Sequence, residues 1–178
     1  PVVAACVLFS LHCETQAYKD SKKITARQRE ILFEKLHNSD AAFGVGIAEP
    51  AEIQRINILQ ASLLAMRRAV HDCAGQSALS PDFLLVDGTF KVPMDLPQLT
   101  LIRGESKSAS IAAASIIAKV TRDRLMQEYH LQYPLYNFQQ HKGYPTRAHR
   151  AAIAKFGPSP IHRRTFKGVR EYCRESSS

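Results

Sequence analysis

The sequence has no C-x-x-C pair and no cysteines at a metal-ligand spacing; its four cysteines stand at positions 6, 13, 73 and 173. Neither a disulfide scaffold nor a zinc–thiolate site has support, and a reduced, cytoplasmic protein is the simplest expectation. The seven histidines form no H-E-x-x-H or H-x-x-x-H pair, which leaves a histidine zinc site unsupported as well. No apolar run approaches the ~18 residues that suggest a membrane span, so no membrane association is expected. Val2 to Phe9 is apolar, but it lacks the basic residues and cleavage site of a signal peptide. A starting methionine and a few loose residues are also lacking. The chain opens on Pro1 and enters an apolar strand at once, so an N-terminal part is expected to be missing.

What is present fits one folded unit. The 178 residues suffice for a single well-buried domain, and an apolar fraction of 45% is that of an ordinary globular protein. The net charge of +8 is uneven. From position 141 to the end there are nine Lys/Arg and two Asp/Glu, net +7, which leaves +1 for the remainder. A basic end of this kind suggests a polyanionic partner, nucleic acid first, against the competing reading of a solvated tail.

Val2 to Phe9 reads as a buried strand, and Thr25 caps a helix from Ala26 to His37 with Ile31, Leu32 and Leu36 inward. Between them, Lys19-Asp20-Ser21-Lys22-Lys23 offers ammonium groups and a hydroxyl where phosphate oxygens would be welcome, or simply a charged turn. Ala41 to Ala48 is a second strand, with Gly44 and Gly46 allowing close approach or a bend. Pro50 opens a long helix to about Cys73, striped by Ile53, Ile56, Leu63, Met66 and Val70. Asp82 to Val86 is a strand ending at Asp87-Gly88, and Leu99 to Ile102 is another, followed by Arg103-Gly104-Glu105. The helix after it runs to about His130, with Ile111, Ala114, Ala118 and Leu125 on one face.

Two strands thus each run apolar to their end and then present a carboxylate, Asp87 and Glu105. On neighbouring strands the acids would meet, repelling one another unless a cation lay between; oxygen-only ligands select Mg²⁺ or Mn²⁺. Further on, Tyr133 to Thr146 is dense in aromatic and basic residues, and Tyr144 sits between Gly143 and Pro145, held on a turn. Beside Lys142 it would stack on a sugar or base while the lysine meets a phosphate, or else serve as a loop anchor. A helix from about Arg147 to Phe156 follows, ended by Gly157-Pro158.

The segments KDSKK, LLVDG, IRGESKSASIAAASIIAKVTRDRLM, HKGYPT and FGPSPIHRRTF, in this order, resemble bacterial ribonuclease HII from Pro1 to about Tyr172. The resemblance implies an α/β fold, a ribonuclease H-like mixed sheet flanked by helices. It makes residues 1–178 a single domain, with 141–178 as a basic helical substrate-binding extension. It implies Mn²⁺- or Mg²⁺-dependent, two-metal-ion hydrolysis of the RNA strand of RNA–DNA hybrids, giving 5′-phosphate and 3′-hydroxyl. Nicking 5′ to ribonucleotides embedded in duplex DNA is implied too, by a monomer. Of four implied carboxylates, one corresponds to Asp87 and one to Glu105, where the family usually has Asp. The others belong to an Asp-Glu-Ala-Gly-Arg-Gly segment just before the position of Pro1, whose Gly-Arg-Gly part senses the ribose 2′-OH. Tyr144 matches the family's junction-sensing tyrosine, and Lys22, Ser108, Lys119 and Lys142 fall in motifs around the substrate. Arg163 and Arg164 are expected to add backbone affinity, and Asp123 to form a structural salt bridge. As written, the chain is expected to bind and not to cut. A non-catalytic nucleic-acid-binding module and a ribonuclease HIII-like nuclease are the alternatives.

Overall fold

Two pairs of strands share the helices around them. β1 (Val2–Leu8) and β2 (Ala42–Ala48) are antiparallel, with Cys6 opposite Gly44 and Ala4 opposite Gly46. β3 (Leu84–Asp87) and β4 (Gln98–Leu101) are parallel, with Asp87 opposite Leu101. The expected α/β architecture is present. Among the described residues (1–10, 13–18, 24–76 and 80–173 of a computed structural model) its strands form two separate two-stranded sheets. Packing connects them: Cys6 of β1 lies against the cluster of Val70, Leu84, Val86 and Val92.

α1 (Ala26–His37) begins in a reciprocal cap. The Thr25 hydroxyl accepts from the Gln28 amide, and the Gln28 side chain accepts from the Thr25 N–H at 2.8 Å. Leu36 is buried and Leu32 and Phe33 pack beside it, but Ile31 is 58% exposed. Leu32 and Leu36 are four apart and share one face; Ile31 lies a further 100° round the helix and misses it.

α2 (Pro50–Gly75) is not one continuous helix. Asn57 has φ 67° and ψ 170°, and its side chain accepts from the Gln60 amide at 3.1 Å, capping a second helical run. The deepest face of that run is Ala61, Ala65, Ala69 and Cys73, spaced by four and each 0% exposed. The larger residues of the expected stripe flank it. The small face exists because β2 presses directly on it: a β-carbon on Gly44 would overlap the Cys73 main-chain nitrogen, and one on Gly46 the Ala65 carbonyl oxygen. Side chains of α2 also close the far edge of β2. Asp72 accepts from the Val45 amide at 2.7 Å, and Arg68, paired with Glu52, donates to the Ile47 carbonyl at 2.6 Å.

α3 (Ala109–Gln132) runs beneath β1 and past the end of β3. It buries Ile111, Ala112, Ala113, Ile116, Ile117 and Val120, whereas Ala114, Ala118 and Leu125 are only partly covered. The buried arc is broader than one stripe because α1, β1 and the turn before α3 all contact the helix. α4 (Phe138–His141) and α5 (Arg147–Phe156) follow, with the Thr146 hydroxyl accepting from the His149 amide. Beyond Gly157 the described chain is turns and one 3₁₀ turn (Arg170–Tyr172), so the expected helical C-terminal part ends at Phe156. Ile161 and Val169 pack on Met126, Tyr136, Phe138 and Ile153, which ties this basic segment to the body of the protein.

Candidate active site

β3 and β4 are neighbours and end at the same side of their sheet, the condition for their terminal acids to share a site. Along β3, Leu84 and Val86 are buried while Leu85 and Asp87 face outward, so strand alternation presents Asp87 to solvent. After β4, Arg103 takes the left-handed conformation (φ 57°) and starts a 3₁₀ turn, Gly104–Ser106. The Gly104 N–H donates to Asp87 Oδ1 at 2.7 Å, which fixes the carboxylate one residue from the half-buried Glu105. Space at Gly104 is tight: an added β-carbon would lie 2.6 Å from the tip of the Ile111 side chain and 3.2 Å from Asp87 Oδ1. These oxygens are the hard donors that divalent cations take. Among the described residues, however, no group of three or more His, Cys, Asp or Glu is placed to hold an ion. By donor type Asp87 and Glu105 suit part of a hard divalent cation's shell.

A second cluster lies along α3. Tyr144 is 58% exposed, its ring 5.6 Å from the Arg122 guanidinium carbon and 5.9 Å from Lys119 Nζ. Lys119 also pairs with Asp123 at 2.6 Å, the structural salt bridge expected of that acid. Lys142, at φ 51°, donates its ammonium to the Asp123 main-chain carbonyl, on the same stretch of α3 that flanks the Tyr144 ring. Arg122 takes the place beside the ring. Its only sequence signal is lying three residues from Lys119, on the same helical side. Lys119 is ten residues beyond Ala109, so the cluster sits about 15 Å down the helix from the acidic end at 1.5 Å per residue. Ser108 is the N-cap of α3, its hydroxyl accepting from the Ile111 amide.

A cleft of about 760 Å³ opens here, lined among others by Tyr144, Arg122, Arg150, Arg163 and Lys167. Arg122 Nη1 is buried with no hydrogen-bond partner among the described residues. Arg163 donates to the Pro1 carbonyl at 2.9 Å and lies over Phe166; burial and then Arg122 lower its pKa from the usual arginine value. Arg164 is exposed. Lys22, with its lysine-rich cluster, lies outside the described residues.

The α/β fold, the acids after adjoining parallel strands and a cation-lined cleft further along α3 go with the family match, and the protein is a nuclease of the ribonuclease H type. The chain belongs to the ribonuclease HII family, whose model matches residues 1–169. It is 55% identical to ribonuclease HII of Desulfotalea psychrophila over 172 residues, covering 97% of this chain and 76% of that one. It is 54% identical to ribonuclease HII of Geobacter metallireducens, covering 97% and 79%. Among solved structures it is similar to ribonuclease H2 from Pyrococcus horikoshii (TM-score 0.68, 25% identity, 97% of this chain and 91% of that one). It shares its fold with the ribonuclease HII of a PCNA complex from Archaeoglobus fulgidus (TM-score 0.71, 21% identity, 93% and 87%). The protein is accordingly a ribonuclease H hydrolase, an endonuclease of a family that generally depends on divalent metal.

Proposed function

We propose that the protein hydrolyses the RNA strand of RNA–DNA hybrids and nicks duplex DNA 5′ to an embedded ribonucleotide, with Mn²⁺ or Mg²⁺. The observation that supports this is the Gly104 N–H bond to Asp87, which joins the turn bearing Glu105 to the end of β3. Asp87 and Glu105 would be two of the metal-holding groups, and the bound cation would supply Lewis-acid stabilisation of phosphate charge. A polypeptide of these 178 residues has no Asp-Glu-Ala-Gly-Arg-Gly segment. It offers half of the implied carboxylates and, alone, binds without cutting. The completed protein is these residues preceded by such a segment.

The exposed Tyr144 ring, flanked by Lys119 and Arg122, supports its assignment to the substrate strand, and the unpartnered Arg122 nitrogen supports an anion in the cleft. In the completed protein, Tyr144→Ala is expected to slow nicking at a single ribonucleotide by roughly 5- to 150-fold, the ~1–3 kcal/mol of an aromatic stack. Tyr144→Phe should retain most activity, and non-specific duplex binding should change less. Normal nicking by the alanine variant would make Tyr144 a loop anchor.

Binding of the 178-residue chain to duplex is expected to weaken steeply with salt. Contact with about four phosphates gives a log–log slope near −3.6, at about −0.9 each on B-DNA. The exposed Arg164, changed to Ala, should flatten the slope by about 0.9. Arg163→Ala should instead loosen the fold, because that guanidinium is tied to Pro1 and Phe166. An unchanged slope in the Arg164 variant would show that its charge is merely solvated.

A further inference from the structure

Three histidines without any metal-ligand spacing gather under the Tyr144 turn. His141, His149 and His162 are all buried; the rings of His141 and His149 stack at 4.2 Å, and Phe138 packs against all three. Backbone groups fix where each proton sits, because an amide N–H only donates and a carbonyl only accepts. The Ser159 N–H donates to His162 Nδ1 at 2.9 Å, so that nitrogen is bare and the proton is on Nε2. The Ser159 hydroxyl, 2.7 Å away, donates to the same nitrogen. His162 Nε2 stands 3.0 Å from His149 Nε2 and donates to it, which leaves the His149 proton on Nδ1. That Nδ1–H meets the Tyr144 carbonyl at 3.0 Å, a group able only to accept, and the chain closes without conflict. His141 secures the other side of the turn: its Nδ1 accepts from the Gly143 amide, its Nε2–H donates to the Tyr136 carbonyl, and its own carbonyl accepts from the Tyr144 amide.

We propose that His162 and His149 are positioning residues for Tyr144: the directed chain from Ser159 through both imidazoles grips the Tyr144 carbonyl and sets its ring opposite Arg122. This rests on the assignment of Tyr144 to the substrate strand. The network needs neutral rings, since a proton on His149 Nε2 would point at the His162 Nε2–H. Burial, helped by His149, pushes His162 down to about 4, and burial likewise lowers His149.

Nitrogen-15 NMR of the 178-residue chain should show His162 protonated on Nε2 and His149 on Nδ1; the opposite tautomer at either ring overturns the proposal. In the completed protein, His162→Phe keeps the bulk but strands the His149 acceptor, and is expected to slow single-ribonucleotide nicking about tenfold. His162→Gln keeps a donor toward His149 and an acceptor toward Ser159, and should restore most of the rate. In a Tyr144→Ala background, His162→Phe should cost nothing further, because its effect passes through Tyr144. A full additional loss there, or a folded His162→Gln protein as slow as the Phe variant, overturns the positioning role alone. Normal nicking by Tyr144→Ala overturns the Tyr144 assignment and the positioning role together, while leaving the tautomers as found.

Discussion

A polypeptide of these 178 residues, given Mn²⁺ or Mg²⁺ and a duplex carrying one ribonucleotide, is expected to bind it and leave it uncut. The completed protein should nick. Within it, Glu105→Gln should lower turnover by about 10²–10³-fold. That equals the several kcal/mol of charge stabilisation a held cation supplies, at about 1.36 kcal/mol per decade. The change removes charge and leaves shape, so fold and duplex binding should persist. Asp87→Asn should be at least as damaging to turnover; its amide oxygen can still accept from the Gly104 N–H, which isolates the lost charge from the lost anchor. Glu105→Asp should keep activity and gain with Mg²⁺, which demands near-octahedral geometry that a shorter arm meets more readily. Asp123→Asn should cost only stability, about 1 kcal/mol or less, by releasing Lys119 from a partly exposed pair. Normal cutting by Glu105→Gln beside a dead but folded Asp123→Asn would move the carboxylate assignment to Asp123. Robust cleavage by the purified 178 residues would sink the claim that two carboxylates are too few.

The largest loss of stability is expected from Gly46→Ala, about 3 kcal/mol or more. Its β-carbon would run into the Ala65 carbonyl and the Ala69 amide, which are main-chain atoms of a helix and cannot rotate away. Relief requires lifting α2 from β2, and with it the Asp72 and Arg68 bonds that close the strand's edge. Urea unfolding should show a lower midpoint at unchanged slope. Gly75→Ala is the control: nothing lies within 4 Å of an added β-carbon, and the position ends a helix, so stability should hold or rise by up to ~1 kcal/mol. A Gly46→Ala midpoint equal to that of the parent would show that the helix yields freely.

Elements with strong end signals were legible in the sequence. Thr25 caps α1 as its hydroxyl suggests, α5 starts at Arg147 as expected, and the two strands that precede the acids are neighbours. Features set by single backbone angles or by distant packing were not. Hydrophobic periodicity runs through Asn57 without marking its positive φ, so α2 reads as unbroken. The left-handed turn at Lys142 ties its ammonium to the α3 main chain, and Arg122 flanks the ring. His149 and His162 meet at a separation of 13 positions that includes most of α5, a spacing with no period to betray it.

Each strand among the described residues pairs on one side only. β2 has its other edge occupied by Asp72 and Arg68, while β1 spends its second edge on no other strand. A strand edge left without a partner can template pairing with another copy of a chain. Opposing that is the +8 charge, whose repulsion between copies reaches roughly 8 Å at physiological ionic strength and about 3 Å at 1 M. Ionic strength therefore acts on these 178 residues in two directions: the salt that loosens their hold on a polyanion also shortens the range of the charge repulsion between copies.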